Sequence, residues 1–197
     1  VWDVEKNEEF GKLLTGHKKT VSHIVFSPDG DTLTCVIDDK TILLWNIKNM
    51  GKSGEILLTH DEDINNIVFS PDGSKMDCVT HDEMIFLWNI KSRKMLGEPI
   101  LGHKGVVSHV AFSPDGNRLA FAGYDKTVIL WDVENRRMLG EPLVGHQDSI
   151  FQVAFTPDGN TLASASDDGV MIFWDISPIS WQKKGCDLAN RNMTCEA

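Results

Sequence analysis

The sequence predicts an all-β repeat protein, a set of four-stranded antiparallel sheets copied along the chain and packed side by side. Three observations predict it. Five of the six tryptophans, Trp2, Trp45, Trp88, Trp131 and Trp174, stand 43 residues apart without drift, and a fixed period in this range marks one supersecondary unit repeated. A turn of Ser or Thr followed by Pro-Asp-Gly recurs at the same interval: Ser27 to Gly30, Ser70 to Gly73, Ser113 to Gly116 and Thr156 to Gly159. Between these points lie short apolar segments separated by Gly, Pro and Asp, with no helical periodicity.

The third copy shows the elements most clearly. A Gly102-His103 pair precedes a strand over Val107 to Phe112, and the turn Ser113-Pro-Asp-Gly116 leads into a second strand from about Arg118 to Ala122. A turn centred on Tyr124-Asp125-Lys126 opens a third strand, Thr127 to Val133. In the Pro-Asp-Gly turn, Pro sets φ, Asp bonds back to local backbone, and Gly supplies the positive φ that closes the hairpin. The apolar positions Val107, Val110 and Phe112 break strict alternation, which predicts a β-bulge near the start of the first strand. The third strand is apolar on both faces, with Ile129 and Trp131 on one side and Val128 and Leu130 on the other. Such a strand needs a packed neighbour on each side. The fourth strand is expected over Arg137 to Val144. It carries Gly140-Glu-Pro142, and Gly97-Glu-Pro99 one period earlier, and Pro belongs on a sheet edge.

Composition narrows the function. A net charge of −10 argues against a nucleic-acid surface, which needs Lys and Arg to neutralise phosphate. No apolar run reaches the roughly 18 to 20 residues of a membrane span, so no membrane partner is expected. Cys35 and Cys78 are one period apart and read as small buried apolar residues, and Cys186 and Cys195 complete the four cysteines. No CxxC spacing suggests zinc or a disulfide framework, which points to a reducing, cytoplasmic setting.

These residues resemble WD40 β-propeller repeats, over about 175 of the 197 residues. The Gly-His pair appears at Gly16-His17, Gly102-His103 and Gly145-His146, with Thr59-His60 as a weakened copy. The Trp-Asp pair appears at Trp2-Asp3, Trp131-Asp132 and Trp174-Asp175, relaxed to Trp-Asn at Trp45 and Trp88, and an Asp stands six residues before each full copy's Trp. The resemblance implies a hydrogen-bonded chain in each repeat. Its members here are His17, Asp39 and Trp45; His60, Asp82 and Trp88; His103, Asp125 and Trp131; and His146, Ser164, Asp168 and Trp174. The hydroxyl position of that chain is filled only by Ser164, since Cys35, Cys78 and Phe121 occupy it elsewhere, so His–Asp contacts alone are expected in the first three copies. The regular placement of these His and Asp residues favours a structural role over catalytic dyads or metal ligands.

The expected organisation is the end of a preceding sheet over residues 1–14, four WD40 units over 15–176, and a short helical tail over 177–197. The architecture is thus a partial β-propeller, with Val1 to Val4 and Phe10 to Leu14 as the third and fourth strands of an earlier sheet. The chain is read as a fragment that self-associates through uncovered sheet faces. Ser177-Pro178 suits a helix start, and the run from Trp181 to Thr194 resembles the tail of some bacterial WD40 proteins that follow a NACHT-like signalling ATPase.

No phosphate-cradling GxxxxGK[ST], HExxH or GxSxG motif is present, so no catalytic, cofactor or metal residue is assigned. The expected function is non-catalytic binding of a protein or peptide partner, as the sensing part of a larger signalling protein. A stand-alone scaffold, or the regulatory propeller of a kinase or other enzyme, is the alternative. Candidate partner-binding residues are those that vary between copies on the face bearing the Gly-His loops. Three residues after each His stand Thr20, Asp63, Val106 and Ser149; five after stand Ser22, Asn65, Ser108 and Phe151. Just before each turn Asp stand Asp38, His81, Tyr124 and Asp167. Tyr124 and Phe151 are the expected anchors, since aromatic groups carry much interface energy.

Overall fold

The computed structural model describes residues 2–3, 5–6, 8–9, 20–47 and 54–177, and among these the chain is strand and turn with no helix. It divides into two compact units, Val1–Gly102 and His103–Ala197. The first unit opens with a hairpin of β1 (Trp2–Asp3) and β2 (Glu8–Glu9). Its first full sheet contains β3 (Val21–Phe26), β4 (Thr32–Ile37), β5 (Thr41–Asn46) and β6 (Glu55–Thr59); its second contains β7 (Ile64–Phe69), β8 (Lys75–Thr80), β9 (Ile85–Asn89) and β10 (Lys94–Met95). In the second unit the third sheet is built from β11 (Val107–Phe112), β12 (Arg118–Gly123) and β13 (Thr127–Asp132). The outer edge of β13 pairs with both β14 (Arg137–Met138) and β15 (Leu143–Val144). The fourth sheet has β16 (Ile150–Phe155), β17 (Thr161–Ser166) and β18 (Met171–Asp175). Every pairing is antiparallel, and all but that of β15 with β13 join strands consecutive in the chain.

The first hairpin of each sheet closes by one repeated arrangement. Ser27 Oγ donates to Asp29 Oδ1 at 2.6 Å and accepts the Thr32 N–H at 2.9 Å, while the Gly30 N–H bonds the Ser27 carbonyl at 2.8 Å. Ser70, Ser113 and Thr156 repeat these contacts with Asp72, Asp115 and Asp158. The glycines stand at φ of +68° to +72°, where a side chain would be strained. Hydroxyl and backbone donors from Ser70 and Ser74 hold the Asp72 carboxyl down at about 2.

The bulge is present in all four sheets. Register shifts between Val21 and His23, Ile64 and Asn66, Val107 and His109, and Ile150 and Gln152. One residue in each first strand is therefore left over: Ser22, Asn65, Ser108 and Phe151.

Within each unit two sheets pack face to face. In the first, Val36 and Ile42 of one sheet meet Ile64, Ile67, Met76, Cys78 and Phe86 of the next. In the second, Ala120, Ala122, Val128 and Leu130 cover Ile150, Val153 and Leu162, with Ile176 beside them. Apolar area removed from water at about 25 cal/mol per Å² drives both joints.

The fourth strand departs from expectation. The Gly-Glu-Pro segments lie outside the strands: Gly97 and Gly140 both take φ of +71°, and each Pro follows in a break in the ladder. Beyond the break, Ile100 rejoins β9 through two bonds with Ile85, at 2.8 and 3.2 Å, and β15 rejoins β13. The positive φ turns the chain off the edge, and Pro has no N–H with which to return at once. In the first sheet Ile56 stands in place of Pro, and β6 begins at Glu55 directly after Gly54, with one register shift against β5. The expected helical tail and Phe10 to Leu14 lie outside the described residues.

One core residue has no sequence precedent. Asp77 on β8 stands at the position of Thr34, Ala120 and Ala163, is fully buried, and neither of its oxygens has a hydrogen-bond partner. Burial pushes its carboxyl well above the usual range, only partly offset by the Cys78 N–H. For an acid whose folded pKa lies above its unfolded value, the pH-dependent cost is absent below about pH 4 and grows as pH rises past that. Asp77→Ala is expected to stabilise the fold by about 1–3 kcal/mol at neutral pH. In urea melts the gain should shrink as pH falls from 7 to 4, leaving only the cost of an unpaired neutral carboxyl.

Candidate functional site

The start of each first strand and the end of each second strand come together at one end of the sheet. There the residue before the turn Asp bonds the residue three after the Gly-His histidine. Asp38 N–H donates to the Thr20 carbonyl and His81 N–H to that of Asp63, both at 2.8 Å; Tyr124 N–H donates to Val106 and Asp167 N–H to Ser149, both at 2.9 Å. The bulge residue lies beside this pair. Two of the three variable positions are thus joined by backbone in every repeat, and the third sits next to them.

The character of this end differs between the two units. In the first, Thr20, Ser22, Asp38, Asp63 and His81 are exposed and Asn65 is half-buried, giving a polar, acidic rim. Lys40 reaches from one loop to the next, where its ammonium donates to the Asp61 carbonyl and lies 3.7 Å from Asp63. In the second unit Tyr124 and Phe151 are exposed aromatics beside half-buried Val106 and Ser149, and Asp167 is exposed. Lys126, two periods after Lys40, donates to the Gln147 carbonyl at 2.7 Å. Ser108 turns inward, with its hydroxyl on the Ala122 and Ile150 carbonyls, and so belongs to the joint between sheets.

Behind this end lies the His–Asp framework, which differs from repeat to repeat. In the fourth it is continuous: Trp174 Nε1–H donates to Ser164 Oγ at 2.8 Å, Ser164 meets His146 Nε2 at 2.7 Å, and His146 Nδ1 meets Asp168 at 2.9 Å. The Gln147 N–H also donates to Asp168, which with the His146 contact holds that carboxyl down at about 2.

In the third repeat His103 Nδ1 lies 2.9 Å from Asp125, and the Lys104 N–H and Thr127 hydroxyl also bond that carboxylate. Burial acts to raise the Asp125 pKa, but these donors outweigh it and the net shift is downward. Phe121 replaces the hydroxyl, so His103 Nε2 faces the Phe121 carbonyl at 3.2 Å and the buried Trp131 N–H has no partner.

In the second repeat the expected His60–Asp82 contact is replaced. Thr80 Oγ1 donates to Asp82 at 2.5 Å, while His60 packs on the Phe86 ring at 5.1 Å and accepts the Glu62 N–H. The third repeat has Gly123 at the Thr80 position, where an added Cβ would come within 2.5 Å of His103 Nδ1. The fourth has Ser166, whose hydroxyl turns away to the Asp148 carbonyl. Thr80 instead presents its hydroxyl to the carboxylate and takes the place of the histidine. Cys78 fills the hydroxyl position beside Trp88; the indole N–H is near enough to oppose burial's upward push on the thiol but makes no hydrogen bond of normal geometry.

In the first repeat Asp38 and Asp39 both take positive φ, and Asp39 is exposed with its carbonyl accepting the Ile64 N–H at 2.5 Å. Trp45 is buried beside Cys35, and its N–H partly offsets the rise that burial gives the thiol. His17 lies outside the described residues. Sequence reasoning missed the two lysines, Thr80, and Arg118, whose guanidinium bonds the Gly159 and Ile176 carbonyls at 2.7 and 3.0 Å. The lysines were open to discovery, since Lys40 and Lys126 keep the period.

Among the described residues no group of three or more His, Cys, Asp or Glu is placed to hold a metal ion. No helix among them is long and apolar enough to cross a membrane.

The WD domain, G-beta repeat family matches residues 8–46, 95–132 and 138–175, more than half of the chain, and the chain belongs to this family. Its repeats make surfaces for protein interaction and are typically not catalytic. The matched spans leave out 47–94, the segment that holds Thr59-His60, Trp88-Asn89 and Asp77. No curated protein matches the chain.

Among the described residues Ser164 is the one hydroxyl that joins a His to a Trp. Ser164→Ala strands the His146 and Trp174 nitrogens and is expected to cost about 2 kcal/mol, read as a lower urea midpoint at unchanged m-value.

Proposed function

We propose that the chain is a non-catalytic sensing element that takes a protein or peptide partner on the loop end of its sheets, where the Gly-His loops and turn Asp residues lie. One observation carries the reading. Two positions that vary between repeats are drawn together at that end by backbone bonds of 2.8 and 2.9 Å in every repeat. The backbone pairing that holds them is the same in all four repeats, while their side chains differ. A common support with different tips suits recognition rather than a repeated reaction.

Tyr124 and Phe151 are the anchors in this reading, because both expose a large ring at the loop end of the second unit. Thr20, Ser22, Asp38, Asp63, Asn65 and His81 supply polar contacts in the first unit, and Val106, Ser149 and Asp167 flank the aromatic pair in the second. Ser108 takes no part, since its hydroxyl is spent between sheets. The His–Asp–Trp residues support the loops and do not touch the partner.

The resemblance of the Trp181 to Thr194 run supports placing this element at the end of a larger bacterial signalling protein with a NACHT-like ATPase upstream. The buried free thiols of Cys35 and Cys78 favour a reducing, cytoplasmic setting. Self-association through uncovered sheet faces belongs to the same reading.

A displayed random-peptide library panned on the immobilised chain tests the binding surface. Peptides enriched on the wild type should bind a Tyr124→Ala/Phe151→Ala variant at least about tenfold more weakly, a loss of more than about 1.4 kcal/mol. The near-UV circular dichroism of Trp should be retained in the variant's fold. Equal binding by wild type and variant removes the aromatic pair from the surface.

A further inference from the structure

Among the described residues six non-glycine positions take a left-handed backbone: Asp38, Asp39, Glu83, Arg93, Lys126 and Arg136. All six are charged. A side chain is strained in this conformation, so its retention there points to a task for the side chain itself. At Lys126 the task is visible. It stands at φ of +68°, where the fourth repeat has Gly169 at +79°. Its ammonium crosses from the turn of the third sheet to the fourth repeat and donates to the Gln147 carbonyl at 2.7 Å.

Lys40 makes the same bond two periods earlier. Its ammonium donates to the Asp61 carbonyl, and each lysine reaches the residue 21 positions on in the chain. Asp61 and Gln147 directly follow His60 and His146, so both bonds tie a turn to the Gly-His loop of the next sheet. Each lies within one compact unit. The other two repeats carry Glu83 and Gly169 at this position, and neither side chain can donate.

The loop after His146 is held by its own repeat as well. The Gln147 N–H donates to Asp168, the Asp148 carbonyl accepts the Ser166 hydroxyl, and the Ser149 carbonyl accepts the Asp167 N–H. Those bonds fix the loop within the fourth repeat. Lys126 fixes it against the third, two residues along the chain from Tyr124. In the first unit Thr80 occupies Asp82, and the loop is tied to the first repeat through both backbone and side chain of Lys40. The Lys40 carbonyl accepts the His60 N–H at 2.8 Å while its ammonium bonds Asp61.

We propose that Lys40 and Lys126 are positioning residues of the partner surface, each setting the turn of one repeat against the Gly-His loop of the next without touching the partner. This rests on the reading of the loop end above and adds the device that keeps loops from two repeats in register. Asp63 and Ser149, three residues after their histidines, lie in the loops so held. A partner spanning two repeats then meets loops already ordered, and less conformational freedom is lost on binding.

The probe is the set of peptides that enrich on the wild-type chain and are weakened by Tyr124→Ala/Phe151→Ala. Lys126→Gly removes the ammonium but relieves the left-handed strain, so its urea midpoint should stay within about 0.3 M of wild type. The same variant should bind these peptides at least about threefold more weakly. Lys126→Met should lose as much, while Lys126→Arg keeps N–H donors and should bind within about twofold of wild type. Arg137→Met, which removes an equal charge at the other end of the same sheet, should bind as wild type does. Without peptide, the Gln147 and Ser149 amides should exchange at least about threefold faster in Lys126→Gly. Peptides that need the aromatic pair yet bind Lys126→Gly like wild type overturn the positioning role and leave the surface standing. Weaker binding with unchanged loop exchange also overturns it, by making Lys126 a contact. Peptides indifferent to the aromatic pair overturn the surface reading and this role with it.

Discussion

A strand that is apolar on both faces cannot stay in water on either one, and this requirement organises the molecule. Leu43 and Leu44, Phe86 and Leu87, and Ile129 and Leu130 are adjacent residues pointing to opposite faces of their sheets, and all are buried. Each sheet therefore needs a neighbour, and the 43-residue period supplies one with matching positions. Ala120 and Ala122 on β12 and the branched residues on β16 show how the joint fits: small residues on one face leave room for Val153 and Ile150 on the next. The turns and the His–Asp contacts refine an arrangement that burial already dictates.

The framework behind the loops is unequal, and the inequality traces to single residues. Ser164 completes the chain from Trp174 to Asp168, whereas Phe121 leaves Trp131 without a partner. Thr80 takes the carboxylate that a histidine takes elsewhere. A repeat tolerates these losses because each is worth a few kcal/mol at most, while the apolar joint beside it is far larger. The loop ends remain similar in backbone even where the side-chain chain is broken. That independence lets their tips diverge in chemistry.

Much of the architecture was legible in the sequence because its determinants are local. Ser-Pro-Asp-Gly specifies its turn within four residues, and the bulge shows as a slip in the alternation of Val107, Val110 and Phe112. The break in the fourth strand was harder, since Gly-Glu-Pro is compatible with an edge strand until the positive φ of Gly97 and Gly140 is known. Asp77 could be seen as a departure from Thr34, Ala120 and Ala163, but not as an unpartnered carboxyl, because that depends on what surrounds it. The candidate loop positions could be chosen by period alone; that Ser108 turns inward while Phe151 turns outward depends on packing that spacing does not encode.

The central strands are sealed by packed neighbours on both faces in the first three sheets, and on one face in the fourth, where Met171 and Phe173 are exposed. Native-state hydrogen exchange reads this directly in the second strand of each sheet, over Cys35–Ile37, Cys78–Thr80, Phe121–Gly123 and Ser164–Ser166. Sealing predicts that these amides exchange only through cooperative opening in the first three segments, with weaker protection in Ser164–Ser166 and far faster exchange in the loops between them. Exchange of the second-strand amides at loop-like rates would contradict it.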